Sequence, residues 1–201
     1  LLAIGLTMAV VLVAGFSFAS AANDGFALRG KRLPWTTGEK WNLTSGYHED
    51  YHVIYPTIFK IDYAKRFDDL TPNQLATFNQ PVLAIGDGTV EEIRTFDPWP
   101  ALSPKPNPPE IEYEALGKFV VINHGEGYFT QYDHLNSISV SVGQAIDSGQ
   151  ELGRSGNTGF SVGYHIQTSL WKNGWHFSSP PGTPIEMETD KAVFGTNVNL
   201  G

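Results

Sequence analysis

The chain has 201 residues, enough for one domain with its own apolar core. Its 21 acidic residues outnumber the 13 basic ones, and the formal net charge of -8 is the wrong sign for a surface that binds nucleic-acid phosphates. Cysteine is absent, which excludes disulfides, thiolate metal sites and cysteine nucleophiles. The 21 glycines, 13 prolines and 12% aromatic residues favour a turn-rich β protein.

The first 22 residues carry no charge, and Ala19 and Ala21 form an A-x-A cleavage pattern near their end. This pattern predicts a secretory signal peptide over residues 1–22. An uncleaved anchor is the alternative, because the run is long enough to cross a bilayer. We expect a lead-in segment over 23–41 and one folded domain over 42–201 that works outside the cytoplasm, either secreted or in the periplasm and cell envelope.

Several short elements are predicted in the first half of this domain. Thr71 as N-cap and Pro72 at the first helical position indicate one short helical turn. The segment PVLAIGDGTVEEIRTF predicts a hairpin around a tight turn at 86–88. Residues 96–110 contain six prolines, which predicts a stiff, polyproline-like surface loop.

The second half predicts further short strands. GKFVVINHGEGYFTQYDHL indicates two strands joined at HGEG, and alternation places Tyr132 and His134 on one face of the second strand. Glycines punctuate short strands in SISVSVGQAIDSGQELG, and a later strand is expected to turn at 172–174 and return as WHFS. The fold class is therefore all-β and mainly antiparallel, a sandwich or barrel-like sheet with little helix.

The stretch GRSGNTGFSVGYHIQTSLWKNG at 153–174 carries the strongest chemical signal. Its glycines lead into a strand rather than a helix, which disfavours a phosphate-binding loop. On that strand His165, Gln167 and Ser169 share a face, with neighbours about 6.6 Å apart. Two imidazole-sized groups at this spacing reach one metal ion or one substrate bond.

Other polar residues are less specific. Asp62 lies in a β-prone, apolar run, where a carboxylate needs a partner. His124 is expected to be structural because it falls in a tight turn. His176 is expected to be an exposed strand residue rather than a ligand.

Six segments in order resemble the lysostaphin-type (LytM-like) zinc metallopeptidases. They are GYH at 46–48, IDYA at 61–64, PVLAIGDGTV at 81–90, VINHGEGYFTQYDHL at 121–135, VGQAIDSGQELG at 142–153 and TGFSVGYHIQ at 158–167. The gap between His48 and Asp62, and the run SLWKNG, are more similar to the beta-lytic branch. The resemblance implies a groove-forming β-sandwich that binds one zinc ion and cleaves peptide cross-links of bacterial peptidoglycan.

The resemblance also implies roles for individual residues. His48 and Asp62 match the first two zinc ligands, although His52 is an alternative to His48. His134 and His165 match the catalytic histidines, and we expect Tyr132 and Tyr164 to line the substrate groove. The third zinc ligand falls on Gln167, whose neutral amide oxygen is a poorer zinc donor than imidazole.

Two functional hypotheses follow from this replacement. The chain is an exported zinc metalloendopeptidase with a degenerate third ligand position, in which any zinc is weakly held or absent. Alternatively, it is an inactive member of the fold that binds cell-wall peptide or regulates another cell-wall hydrolase. A third hypothesis is that Gln167 is an engineered inactivating change in an otherwise active enzyme.

Overall fold

A computed structural model describes residues 32–39, 41–45, 60–65, 74–97, 115–161 and 163–185. The predicted signal segment, the helix start at Thr71 and Pro72, most of the proline-rich loop, His48 and His52 lie outside these ranges. In the part described, no helix is long and apolar enough to span a membrane.

The described residues form eleven strands and one helix of four residues, so the predicted all-β class is confirmed. The elements are β1 (Trp41–Ser45), β2 (Lys60–Lys65), α1 (Gln74–Thr77), β3 (Pro81–Leu83), β4 (Gly88–Arg94), β5 (Phe119–Gly125), β6 (Tyr128–Asp133), β7 (Ser137–Ile138), β8 (Ala145–Ile146), β9 (Glu151–Arg154), β10 (Ile166–Lys172) and β11 (Thr183–Ile185).

The strands form two antiparallel sheets. The larger has the order β1-β2-β10-β6-β5-β4-β8, with β11 paired to β10, and the smaller has the order β3-β9-β7. Ile122 and Ile166 from the larger sheet belong to the same buried cluster as Val82 and Leu152 from the smaller one. The main core therefore lies between the two sheets.

Two tryptophans near the start of the described chain belong to this core. Trp35 and Trp41 are buried, and their rings stack at 5.4 Å between centroids. Both lie in the stretch that the sequence assigned to the lead-in segment. The core thus includes residues that precede position 42.

The predicted strand pair joined at HGEG is confirmed as β5 and β6. Glu126 and Gly127 both have positive φ, 51° and 77°, at the turn between them. Consecutive positive φ values are typical of the type I′ turns that match the twist of a hairpin.

The predicted hairpin at 86–88 is wrong. β3 pairs with β9, whereas β4 pairs with β5 and β8, so the chain crosses from one sheet to the other between β3 and β4. Asp87 fixes this crossing because its Oδ1 accepts a hydrogen bond from Ser148 N at 2.7 Å and its carbonyl oxygen lies 2.6 Å from His124 Nδ1. Contacts with distant segments thus outweigh the local turn signal.

The predicted return strand WHFS is also wrong. Residues 175–178 form a turn in which Ser178 N donates to Trp175 O at 3.1 Å. The strand that pairs with β10 on the return is β11, after two prolines and a glycine.

Candidate functional site

The larger sheet has two faces of different character. Its core face, which packs on the smaller sheet, carries mainly apolar side chains: Ile61, Tyr63, Val120, Ile122, Tyr132, Ile166 and Leu170. Alternation along the strands puts another set on the opposite side, which we call the second face. Its members on β2, β5, β6 and β10 are Lys60, Asp62, Phe119, Val121, Phe129, Gln131, Asp133, Gln167, Ser169 and Trp171.

Asp62, His165 and Gln167 meet at one end of the second face. Gln167 lies directly opposite Asp62 across β2 and β10, and its Nε2 donates to Asp62 Oδ1 at 2.9 Å. His165 Nε2 is 3.7 Å from the same oxygen. The predicted common face of His165 and Gln167 and the predicted need of Asp62 for a partner are both confirmed.

His134 also reaches this cluster, but not by strand alternation. β6 ends at Asp133, and His134 has a positive φ of 60°. This turn in the backbone brings the ring of His134 to 4.9 Å from that of His165. The predicted common face of Tyr132 and His134 is therefore wrong, because alternation applies only to continuous extended chain.

Tyr132 lies in the core rather than in a groove. It is fully buried, and its hydroxyl oxygen accepts hydrogen bonds from Ile85 N at 2.8 Å and from Thr130 Oγ1 at 3.2 Å. Burial raises the pKa of Tyr132 to about 12. The predicted substrate contact by Tyr132 is wrong, because the side chain points to the core face.

Tyr164 precedes His165 and is half-buried. Its ring packs at 4.7 Å from that of Phe78, an exposed residue that the sequence did not single out. The two rings form an aromatic pair that includes the residue directly before His165. A role for Tyr164 in contacting substrate stays a prediction.

The tautomers of the two histidines follow from their hydrogen bonds. His134 Nδ1 lies 2.8 Å from Thr158 O, and His165 Nδ1 lies 2.8 Å from Gly163 O. Because a carbonyl oxygen only accepts, we assign the proton to Nδ1 in both neutral rings. Nε2 of His165 is then an acceptor, and it is buried without a hydrogen bond among the described residues.

A buried ion pair lies next to Gln167 on the second face. Lys60 is 3% exposed and Asp133 is fully buried, and Lys60 Nζ lies 3.0 Å from Asp133 Oδ2. The other carboxylate oxygen of Asp133 accepts from Gln131 Nε2 at 2.7 Å. Lys60 Nζ also donates to Gln167 Oε1 at 2.9 Å.

These contacts fix the orientation of the Gln167 amide. An ammonium group only donates hydrogen bonds and a carboxylate only accepts them. The amide oxygen must therefore face Lys60, and the amide nitrogen must face Asp62. Both ends of the side chain are engaged by neighbouring charged groups.

His176 packs beyond this ion pair and is buried, so its predicted position as an exposed strand residue is wrong. Its ring stacks on those of Trp171 and Phe177, at 5.1 and 4.1 Å. Burial, helped by the positive charge of Lys60, lowers the pKa of His176 to about 4.

A loop crossing holds the acceptor of His134. Thr158, which supplies that carbonyl, also donates its hydroxyl to Leu135 O at 2.9 Å. Gly117 and Gly159 both have positive φ, and a Cβ on either would collide with the backbone of the other segment. The loop therefore lies directly against the chain that leads into β5.

The described residues do not contain a group of three His, Cys, Asp or Glu side chains that could hold a metal ion. Of the predicted ligands, Asp62 and Gln167 are adjacent, and His48 lies outside the described ranges. Sequence reasoning missed Lys60 and Asp133. The signal was present, because each is a charged residue in a β-prone run, the same pattern that singled out Asp62.

Comparisons with known proteins agree on one family. Residues 74–180 match the family model described as Peptidase family M23. The peptidoglycan DD-endopeptidase ShyA of Vibrio cholerae is 30% identical over 151 residues, which cover 75% of this chain and 30% of ShyA.

Two solved structures have the same fold. The catalytic domain of the prophage-encoded M23 protein EnpA from Enterococcus faecalis, solved as a point mutant, has a TM-score of 0.53 at 22% identity, covering 79% of this chain and 96% of that one. A zinc-containing peptidase from Vibrio cholerae has a TM-score of 0.52 at 24% identity, covering 80% of this chain and 40% of that one.

Proposed function

Because the chain belongs to peptidase family M23, we propose that it is an exported domain that binds the peptide part of peptidoglycan without cleaving it. The predicted relationship to the lysostaphin-type peptidases is confirmed. The family is zinc-dependent, and the relative ShyA is named as a peptidoglycan DD-endopeptidase. The chain spans 30% of the length of ShyA. Because the match covers only this part of ShyA, peptidoglycan as the ligand of this chain is itself part of the proposal.

The orientation of Gln167 is the observation that carries the absence of cleavage. A catalytic zinc site needs three protein ligands and an open position. At the third ligand position, the only atom of Gln167 able to bind a metal accepts a hydrogen bond from Lys60 instead. The nitrogen turned toward Asp62 cannot coordinate a cation. The residues described here therefore do not fit the zinc site that the family implies.

The remaining groups suit the binding of a peptide. The Nε2 acceptor of His165 is enclosed, so the group open to a peptide N–H lies next to it. Asp62 supplies a partly exposed carboxylate beside it. The rings of Tyr164 and Phe78 offer an apolar wall with little conformational entropy to lose.

Two observations support export of the domain: the sequence of the first 22 residues, and the location of the proposed ligand outside the cytoplasm. The predicted signal peptide would deliver the domain to the cell envelope or beyond, where peptidoglycan lies.

The competing function is zinc-dependent cleavage. Its support is that His134, His165 and Asp62 lie together, as they would in an active enzyme of the family.

The experiment measures binding and cleavage on the same samples. The purified chain is incubated with insoluble peptidoglycan, with added zinc and with a chelator, and both the sedimented protein and the released wall fragments are quantified. We expect chelator-independent sedimentation and no released fragments. Chelator-sensitive release of fragments would contradict the proposal in favour of the enzyme.

Matched variants locate the binding surface. We expect Tyr164→Ala to weaken sedimentation about tenfold, or about 1.4 kcal/mol. The control is Phe96→Ala, which removes another exposed aromatic ring and should leave sedimentation unchanged. If the wild-type chain stays in the supernatant but binds a cell-wall hydrolase, the regulatory reading replaces this one.

A further inference from the structure

Lys60 is a cation placed where a β-strand would ordinarily bury an apolar or small residue. It lies two positions before Asp62 on β2, so both side chains project from the second face. Only 3% of Lys60 is exposed. A buried ammonium is tolerated only when it is paired and hydrogen-bonded.

The partners of Lys60 come from two other strands. Its Nζ lies 3.0 Å from a carboxylate oxygen of Asp133 on β6 and 2.9 Å from the amide oxygen of Gln167 on β10. The amide nitrogen of Gln167 in turn donates a hydrogen bond to the Asp62 carboxylate. One positive charge thus gathers oxygen atoms that would otherwise repel one another, which is what a bound metal ion does.

A divalent ion at the same place would compete with this ammonium. To use Gln167 as a ligand, the ion would have to share the amide oxygen with Lys60 Nζ. Like charges on one oxygen atom repel strongly at such separations, most of all where water is scarce. Occupancy by Lys60 and occupancy by a metal are therefore alternatives.

We propose that the ammonium of Lys60 is the resident cation of this site, an intramolecular replacement for the metal ion on which the family depends. The inference rests on the proposed function, since it explains how the site is completed in a domain that does not cleave. The second face is held together by a charge that belongs to the polypeptide.

The test removes that charge and offers a substitute. Lys60→Ala leaves a space that matches propylammonium, the part of the lysine side chain beyond Cβ. Thermal unfolding is measured for the wild type and Lys60→Ala with propylammonium chloride, and with potassium chloride at equal ionic strength. The matched control is Lys65→Ala. Lys65 is a half-buried lysine on the same strand as Lys60, and it forms an ion pair with Glu39.

We expect Lys60→Ala to melt at a lower temperature and to regain several degrees, saturably, with propylammonium but not with potassium. The wild type and Lys65→Ala should not respond to propylammonium, and a chelator should leave the wild-type midpoint unchanged. Equal responses of Lys60→Ala and Lys65→Ala would overturn the inference. A wild-type midpoint that falls with chelator and recovers with zinc chloride would overturn it too.

Two further measurements cover a variant that does not fold. If Lys60→Ala is unfolded, its refolding yield is compared with and without propylammonium, and equal yields overturn the inference. Lys60→Met combined with Asp133→Asn removes both charges with little change in shape and should fold without responding to propylammonium. None of these readouts involves peptidoglycan, so sedimentation can fail while the inference stands, and the reverse.

Discussion

The two faces of the larger sheet are built from the same strands but are stabilised differently. On the core face, apolar side chains such as Ile122 and Ile166 pack against the smaller sheet, and burial of apolar area provides the stability. On the second face, Lys60, Asp133 and Gln167 are buried as deeply but depend on specific polar partners. Strand alternation alone therefore gives the sheet one apolar side and one mixed side. The mixed side carries apolar residues such as Phe119 and Trp171 next to charged groups, and the charged groups tolerate burial because they are paired.

This difference predicts where a single substitution costs most. Trp41→Ala should lower the free energy of unfolding by about 3–5 kcal/mol, because Trp41 is buried in the main core and stacked on Trp35. Leu43→Ala on the same strand is the control, since Leu43 is exposed, and it should cost less than about 1 kcal/mol. Urea denaturation checks both values. Equal losses would show that the core face does not dominate stability in this strand.

The second face should be the more sensitive to pH. His176 has its ordinary pKa of 6.5 when unfolded and about 4 when folded, so between these values the unfolded chain binds the extra proton. Stability present above pH 6.5 should therefore fall as the pH drops toward 4, by on the order of 3 kcal/mol. His176→Phe keeps an aromatic ring against Trp171 and should remove this part of the decline. Denaturation of both proteins across this range measures the difference, and parallel curves would contradict the assignment.

The smallest effect concerns a hydroxyl on the core face. Tyr132→Phe deletes the acceptor of Ile85 N–H and should cost about 1–2 kcal/mol of stability. Sedimentation with peptidoglycan should not change, in contrast to Tyr164→Ala. Weaker sedimentation with unchanged stability would return Tyr132 to the binding surface.

Much of the fold could be predicted because it depends on local signals. The β5–β6 hairpin was predicted from two β-rich runs and a glycine turn, and the structure has both strands and that turn. The turn at 86–88 carried a similar signal but joins two different sheets. Whether such a turn closes a hairpin or joins two sheets depends on contacts of the turn residues with distant segments, such as the hydrogen bond from Ser148 to Asp87.

The site was predictable where it lies on one strand and obscure where it depends on the register between strands. The face shared by His165 and Gln167 follows from alternation, and so does the position of both beside Asp62 once the strands pair. The Lys60–Asp133 pair joins residues 73 positions apart, on two strands that flank β10. The direction of His134 depends on a positive φ just past the end of β6, which strand periodicity does not include.

The crossing of Gly117 and Gly159 has a consequence for how the histidine pair tolerates change. Because main chain rests on main chain there, the carbonyl that orients His134 is positioned by two backbones as well as by the Thr158 hydroxyl. Any side chain introduced at either glycine would collide with the other segment and shift the loop and the imidazole together. The two glycines therefore jointly determine where the His134 ring lies.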